Sequence, residues 1–351
     1  MDKYYWKPYS ELAEKDWLSV IDNSPDAWVF HNMEACDFIA RPSNAENRSF
    51  IVYNSNSNEP VAICPLHVYL VKYDRIYRKN KKKAESFGGS GPALSDKLGD
   101  NERREVIRFI GEVLIDFVRK EKIDSCTVSA ANLSQFCLAR ENGYTNPLHE
   151  LRNNWRNRCV AYYYLDLRKS EDQLKQNLET RARSIIQKFE KTDNLIIRKA
   201  DINDVKLIYD LFVETSNRTG LTLQQKDRIE WFVQFSKADH YIAFIDSVPA
   251  CVIRILKYEN TALYDAGFTA NDFIKTDIAT YVLWYGILEI RKQNIEHFDV
   301  GSEYFEPPGN KPDNIAKFKR SFGGKLRYKF SSVFVNENIA KRFLKKITEV
   351  L

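Results

Sequence analysis

Phe298-Asp299-Val300-Gly301-Ser302 and, a short way on, Phe318-Lys319-Arg320-Ser321-Phe322-Gly323-Gly324 are the two stretches on which the fold turns. The first predicts a strand, His297 to Val300, that ends by turning on a glycine and leaves the Asp299 carboxylate at the strand end. The second predicts the close of a short basic helix, Asn314 to Phe322. Gly323 stands where a helix stop needs a left-handed residue, and Gly324 lets the next backbone approach closely. Upstream, Ile278 to Lys292 reads as a helix. Before it come three strands, Tyr241 to Asp246, Ala250 to Tyr258 and Thr261 to Ala266, joined by Ser247-Val248-Pro249 and Glu259-Asn260. Further back the pattern gives a strand (Ala161 to Leu167), a long helix from a Ser170 cap to about Lys191, a strand (Leu195 to Lys199) and helices Ile202 to Ser216 and Asp227 to Phe235. Downstream, Leu326 to Val335 reads as a hairpin-like strand pair, and Asn336 caps a terminal helix.

The first half is a fainter version of the same plan. Ser10 caps a helix, Glu11 to Asp22. Phe50 to Tyr53, the polar turn Asn54 to Asn58, and Val61 to Tyr73 form a hairpin. A basic loop leads to Phe87-Gly88-Gly89-Ser90-Gly91-Pro92. Asn101 to Lys122 is an amphipathic helix carrying Val106, Phe109, Ile110, Val113, Leu114 and Phe117. A strand, Cys126 to Ser129, and a helix, Leu133 to Glu141, follow. Any duplication lies in the order of elements, because no short sequence repeat is present. The chain has 351 residues, which at about 150 residues per domain points to two domains, 1–158 and 159–351. The expected class is α/β (α+β).

Composition excludes several functions. Hydrophobic residues make up 44% and charged residues 29%, the balance of a folded globular chain. Apolar runs such as Cys159 to Leu165 are far shorter than the roughly 20 residues a bilayer needs. The charged, aromatic start, Met1 to Tyr9, lacks a signal-peptide core, so a cytoplasmic protein without a transmembrane segment is expected. The cysteines at 36, 64, 126, 137, 159 and 251 form no C-x-x-C pair and read as reduced thiols. The histidines have no metal-ligand spacing, so no metal is expected. Cys64-Pro65-Leu66-His67 fails as a nucleophile–base pair, because i and i+3 on a strand face opposite sides. The net charge is +5, but bases gather at Lys72 to Lys83, at Lys311 to Lys329, and at Arg152, Arg156 and Arg158 around Trp155. Such clusters suggest an anionic ligand.

The strand order, with its central antiparallel strands followed by a helix–strand unit, resembles the GNAT acyltransferase fold. The two opening stretches resemble the FemA/FemB-like aminoacyltransferase family within it. Members often carry an Asp-(any)-Gly-Gly strand end and then Phe-Lys-(any)-(any)-Phe-Gly-Gly; here Ser302 replaces the second glycine. Leu174 to Lys188, with Arg181, Arg183 and Ile186, is similar to the family's opening helix. The resemblance covers Tyr162 to Val335 and the first half in outline. It implies two tandem GNAT-like domains, each a mixed, mainly antiparallel twisted sheet flanked by helices. Residues 1–158 would form a degenerate acceptor-side domain and residues 159–351 the donor side.

The resemblance further implies transfer of an aminoacyl group from aminoacyl-tRNA to an amine on a peptidoglycan-type cell-envelope precursor or a nucleotide-linked amino sugar. In that reaction Lys319 would stabilise the oxyanion. Asp299 is a catalytic candidate. Asp265 could take the amine proton, as could Glu303 or Glu306. Arg183, Gly301, Glu303, Phe318 and Arg320 are substrate-binding candidates, and Gly88, Gly89 and Gly91 form the candidate acceptor turn. No tightly bound cofactor is expected; the donor is a co-substrate. Acyl-CoA users of the fold usually place a glycine-rich Gln/Arg-x-x-Gly-x-Gly/Ala turn before the central helix, whereas Phe273-Ile274-Lys275-Thr276-Asp277 has no glycine. Two alternatives stay open: an acyl-CoA-dependent N-acyltransferase acting on an amino sugar or other small amine, and a non-catalytic tRNA- or phospholipid-binding module on this fold. Expected partners are aminoacyl-tRNA or a CoA thioester, a phosphorylated envelope precursor and, peripherally, an anionic membrane surface.

Overall fold

The computed structural model describes residues 3–10, 13–40, 45–71, 80–86, 89–140, 146–221, 226–304 and 309–336. Most of the Lys72 to Lys83 cluster, Gly88, Glu306 and the expected terminal helix lie outside them. The chain divides into two units: Met1–Cys159 together with the stretch from Lys329, and Val160–Tyr328.

The first unit opens with β1 (Tyr4–Pro8), α1 (Glu14–Asp22), α2 (Met33–Ala40), β2 (Glu46–Asn47), β3 (Phe50–Asn54), β4 (Pro60–Cys64), β5 (His67–Val71), β6 (Lys81–Glu85) and β7 (Ala93–Leu94). It continues through α3 (Asp100–Lys120), β8 (Ser125–Ser129) and α4 (Gln135–Leu138). Strands β1-β3-β4-β7 form one sheet. Strands β2, β5, β6 and β8 pair in that order, with β6 and β8 parallel. The expected continuous run Val61 to Tyr73 breaks at Pro65, which has no N–H to offer a ladder. Leu66 N–H turns to the Ser49 hydroxyl instead, at 3.0 Å, and the two halves join different sheets. The stripe Val106, Ile110, Leu114 and Val118 on α3 packs with Cys126 and Val128 of β8, as the 3.6-residue period demands. The expected helix Leu133 to Glu141 is shorter, Gln135–Leu138, started by the Ser134 hydroxyl, which accepts from Cys137 N–H.

The second unit holds most of β9 (Arg156–Asp166), which begins in the first, then α5 (Glu171–Asn177), α6 (Thr180–Phe189), β10 (Leu195–Lys199), α7 (Val205–Thr219), α8 (Lys226–Gln234), β11 (Ala238–Ile245), β12 (Val248–Tyr258), β13 (Thr261–Thr269), α9 (Ile278–Arg291), β14 (His297–Ser302), α10 (Lys311–Arg320) and the start of β15 (Lys325–Val335), which ends in the first. Its strands run β10-β11-β12-β13-β14-β9, antiparallel except β13 with β14. One face carries Ile253, Ile255, Phe298 and Val300 against α6 and α9. The other carries Ile242, Val252 and Phe268 against Ile208, Phe212 and Ile229 of α7 and α8.

Two readings are corrected here. The long helix from Ser170 is two helices: Leu178 is extended (ψ 143°) and buried, Glu179 N–H donates to Ser321 O at 2.9 Å, and Arg183 Nη2 donates to the carbonyls of Gln176 and Leu178 at 2.8 and 3.0 Å. Leu326 to Val335 is one strand, not a hairpin. Its last five residues pair antiparallel with β8, from Ser331 opposite Ser129 to Val335 opposite Ser125. That pairing carries the chain from Lys329 onward into the first unit, where the sequence places it with the second.

Two buried histidines make the fold sensitive to acid. His31 Nδ1 accepts from Trp28 N–H at 2.9 Å, and its Nε2 meets Gly91 O at 2.8 Å. Burial pulls its pKa down to about 4. His240 is pulled to about 3 by burial and by the neighbouring Arg254 cation. Both stay neutral in the fold, while the unfolded chain takes protons below about pH 6.5. Their contribution is therefore complete above that pH and is lost as pH falls toward the folded values. Urea unfolding at pH 7 and pH 5 should differ by about 2 kcal/mol for each histidine; equal stability at the two pH values would refute this.

Candidate active site

Strands β13 and β14 pair over only three positions, from Thr261 opposite His297 to Leu263 opposite Asp299. Each then carries a bulge: β13 at Asp265, β14 at Val300. Bulges bend strands and end pairing, so the two part beyond this point, and backbone groups along the split are left to take an extended ligand.

Helix α10 lies across the end of β14. Asn310 caps it, accepting from Asp313 N–H at 2.8 Å, and Pro312 sits in its first turn. Each residue of its last turn meets a different neighbour. Phe318 packs on Tyr264 of β13, ring centroids 6.1 Å apart, and on Phe322 at 5.4 Å. Lys319 runs over Gly301, whose φ is +123°; a Cβ there would lie 2.6 Å from Lys319 Cε and 2.7 Å from Nζ. The ammonium donates to Ser302 O at 3.4 Å and stands 5.1 Å from the Tyr304 ring centroid. Arg320 donates through Nε to the Tyr163 hydroxyl at 2.9 Å and through Nη2 to Glu303 at 3.0 Å. Tyr163 itself donates to Glu303, and Tyr304 N–H reaches the same carboxylate at 2.8 Å. Gly323 and Gly324, at φ +74° and +96°, face Asn177 O and Tyr164 O, which a Cβ would approach to 2.2 and 2.5 Å.

Asp299, Gly301, Glu303, Phe318, Lys319 and Arg320 thus come together. Asp299 is buried, and its Oδ1 accepts Gly301 N–H at 2.7 Å, which fixes the turn under Lys319. Asp265 lies in the β13 bulge and is clamped by Arg254 at 2.5 Å. Arg183 ties the break between α5 and α6. In the first unit, Gly91 packs where a Cβ would come 2.3 Å from Ser129 O, and Gly89 where it would come 3.3 Å from Ala130 O, so close backbone packing already requires small residues there. Part of the basic C-terminal cluster is paired internally, Lys317 with Asp313 at 2.7 Å and Arg320 with Glu303; Arg152 likewise pairs with Glu150 at 2.9 Å.

The sequence reading missed Tyr163 and Tyr304. Tyr163 stands directly opposite Gly301 in the β9–β14 ladder. Its alternation with Tyr162 and Tyr164 was visible, but the partner that selects it was not. At the head of α9, Asp277 sits at φ +62° with its carboxylate 3.1 Å from Arg181.

No family model matches the chain, and no curated protein matches its sequence. The fold is the tandem GNAT fold, a mixed α/β architecture of mainly antiparallel sheets flanked by helices. Among solved structures it is similar to FemX, with TM-score 0.62, 9% identity, and coverage of 93% of this chain and 96% of that one. It is also similar to a tandem GNAT protein from the clavulanic acid biosynthesis pathway, with TM-score 0.55, 10% identity, and 95% and 99% of the two chains covered. L-PGS from Bacillus licheniformis matches with TM-score 0.52 at 11% identity over 94% of each chain.

The Glu303 carboxylate is buried while Arg320 is half-exposed. Removing one partner of such a pair leaves a charge without compensation. Arg320→Met should therefore cost about 2 kcal/mol in a urea titration, and adding Glu303→Gln should recover much of that cost. Strict additivity of the two changes would show that the pair does not couple.

Proposed function

We propose that this chain is an N-acyltransferase that moves an aminoacyl group from aminoacyl-tRNA to an amine of a cell-envelope precursor or nucleotide-linked amino sugar. The observation that carries the reading is Lys319, laid over the side-chain-free Gly301 where β13 and β14 part. An acyl carbonyl lying along that split would present its oxygen to the ammonium. The neutral amine attacks the carbonyl carbon and the C–N bond forms. The carbonyl electron pair moves onto oxygen, where Lys319 stabilises it. Collapse breaks the ester C–O bond, and the departing hydroxyl gains the proton that the amine gives up. Among the described residues Asp265 and Glu303 are already engaged by Arg254, Arg320 and Tyr163, so we assign them to holding the site rather than to moving that proton.

The head of α9 favours an ester donor over a CoA thioester. A pyrophosphate there would meet the Asp277 carboxylate, and Thr276 Oγ1 already lies 3.4 Å from Ile278 N. Like charges at a helix start repel a phosphate that bare N–H groups would welcome. The second reading, an acyl-CoA donor, has the likeness to the clavulanic acid pathway protein, which is described with reference to AcCoA.

The test combines labelled aminoacyl-tRNAs with a UDP-linked peptidoglycan precursor and with UDP-amino sugars. Transfer should occur, and Lys319→Ala should lower it by about a hundredfold while leaving the fold intact by circular dichroism. In parallel, a ligand at 100 times its Kd stabilises the fold by about 2.7 kcal/mol. Thermal stabilisation by CoA or acetyl-CoA but not by tRNA would replace this donor with the thioester.

A further inference from the structure

Tyr264 and Gly267 stand at i and i+3 on β13, and in a regular strand residues so spaced face opposite sides. The bulge at Asp265 changes that, as bulges re-aim the side chains around them. Tyr264 stands opposite Ile255 and Gly267 opposite Ile253, and both isoleucines belong to the core packed against α6 and α9. Tyr264 and Gly267 therefore share that face. The phenol folds back along its own strand, and a Cβ on Gly267 would lie 2.2 Å from the Tyr264 hydroxyl oxygen.

The other lip of the split has the same construction. Gly301 of β14 stands opposite Tyr163, a residue of the same core, and the Lys319 side chain covers it. Each lip thus has a position without a side chain, covered by a polar group. The two groups are linked: Phe318, next to Lys319 in α10, packs on the Tyr264 ring with centroids 6.1 Å apart. The Tyr264 hydroxyl makes no hydrogen bond among the described residues. Burial pushes its pKa above the usual range of a phenol, so it keeps its proton at neutral pH.

The transfer chemistry proposed above leaves one proton without a carrier. A sugar hydroxyl is a weak acid, so its oxygen leaves an ester at neutral pH only as it is protonated. We propose that Tyr264 is a catalytic residue that carries the proton from the attacking amine to the leaving oxygen. This assignment rests on the reading of the site as one for aminoacyl transfer from an ester. As the C–N bond forms, the amine nitrogen becomes cationic and gives its proton to the phenol oxygen. The phenol passes its own proton to the ester oxygen, which takes the electron pair of the breaking C–O bond and departs as a neutral hydroxyl. The amide is left neutral and Tyr264 is again protonated. A phenol can both give and accept in this way, whereas the Lys319 ammonium has no lone pair to accept with.

The experiment measures single-turnover transfer from aminoacyl-tRNA by the full chain, with the acceptor concentration varied. Tyr264→Phe keeps the ring and its packing on Phe318 and removes only the hydroxyl. It should slow transfer by about a hundredfold with the acceptor KM and the urea midpoint unchanged. Replacing Tyr264 by 3-fluorotyrosine, which retains a hydroxyl, should keep most of the wild-type rate. A wild-type rate in Tyr264→Phe, a loss carried by KM, a lowered urea midpoint, or a fluorotyrosine variant as slow as the phenylalanine one would overturn the relay and leave the transfer reading standing. Absence of transfer by the folded wild-type chain would overturn both.

Discussion

A lysine side chain can lie flat over a strand end only where that strand has no side chain of its own, and Gly301 meets that condition. From this contact the register of α10 follows. With Lys319 over Gly301, the helical rotation of about 100° per residue carries Phe318 toward β13 and Arg320 toward Glu303. Phe322 then enters the core, and the two glycines after it pass closely under the carbonyls of Asn177 and Tyr164. A slip of one residue would aim a charged group into the core and a phenyl ring at the carboxylate.

The carboxylates around this seam are structural anchors. Asp299 holds the turn, Glu303 gathers a tyrosine, an arginine and a backbone N–H, and Asp265 holds Arg254, whose guanidinium stacks 3.6 Å from the Phe232 ring centroid. Binding these acids into the fold gives the local positive charge a fixed direction, with the lysine laid over Gly301 and held at Ser302 O. Preorganisation of that kind is what oxyanion stabilisation requires, since a cation already in position need not move as charge develops.

Much of the second unit was legible in the sequence. The three central strands, the helix from Ile278 and the Phe-Lys stretch were all marked by local signals: alternation, a 3.6-residue period and paired glycines. What escaped was set by distant partners. Leu178-Glu179 contains neither glycine nor proline, so nothing local announced a helix break; it is made by Ser321 O and by the reach of Arg183. Arg254 and Asp265 stand on neighbouring strands, and only register brings them together. The strand Tyr4–Pro8 depends on pairing with β3, and the straight course of β15 on β8. Candidate residues were found where a sequence pattern carried them, and Tyr163 was missed because its role comes from the residue across the ladder.

The return of β15 to the first unit also fixes an order of events during synthesis. Residues 160–328 emerge as one uninterrupted block and can form their core as they appear. The first unit has to wait. Until the stretch from Lys329 is made, one edge of β8 has no neighbour and Phe334 is missing from its place beside Trp155, where the rings finally stand 5.8 Å apart. At ribosomal speeds of about 5–20 residues per second, that interval lasts roughly 10 to 30 s. Although its N-terminal part is translated first, this unit is completed last, and an uncovered strand edge is the surface through which nascent chains most readily stick to one another.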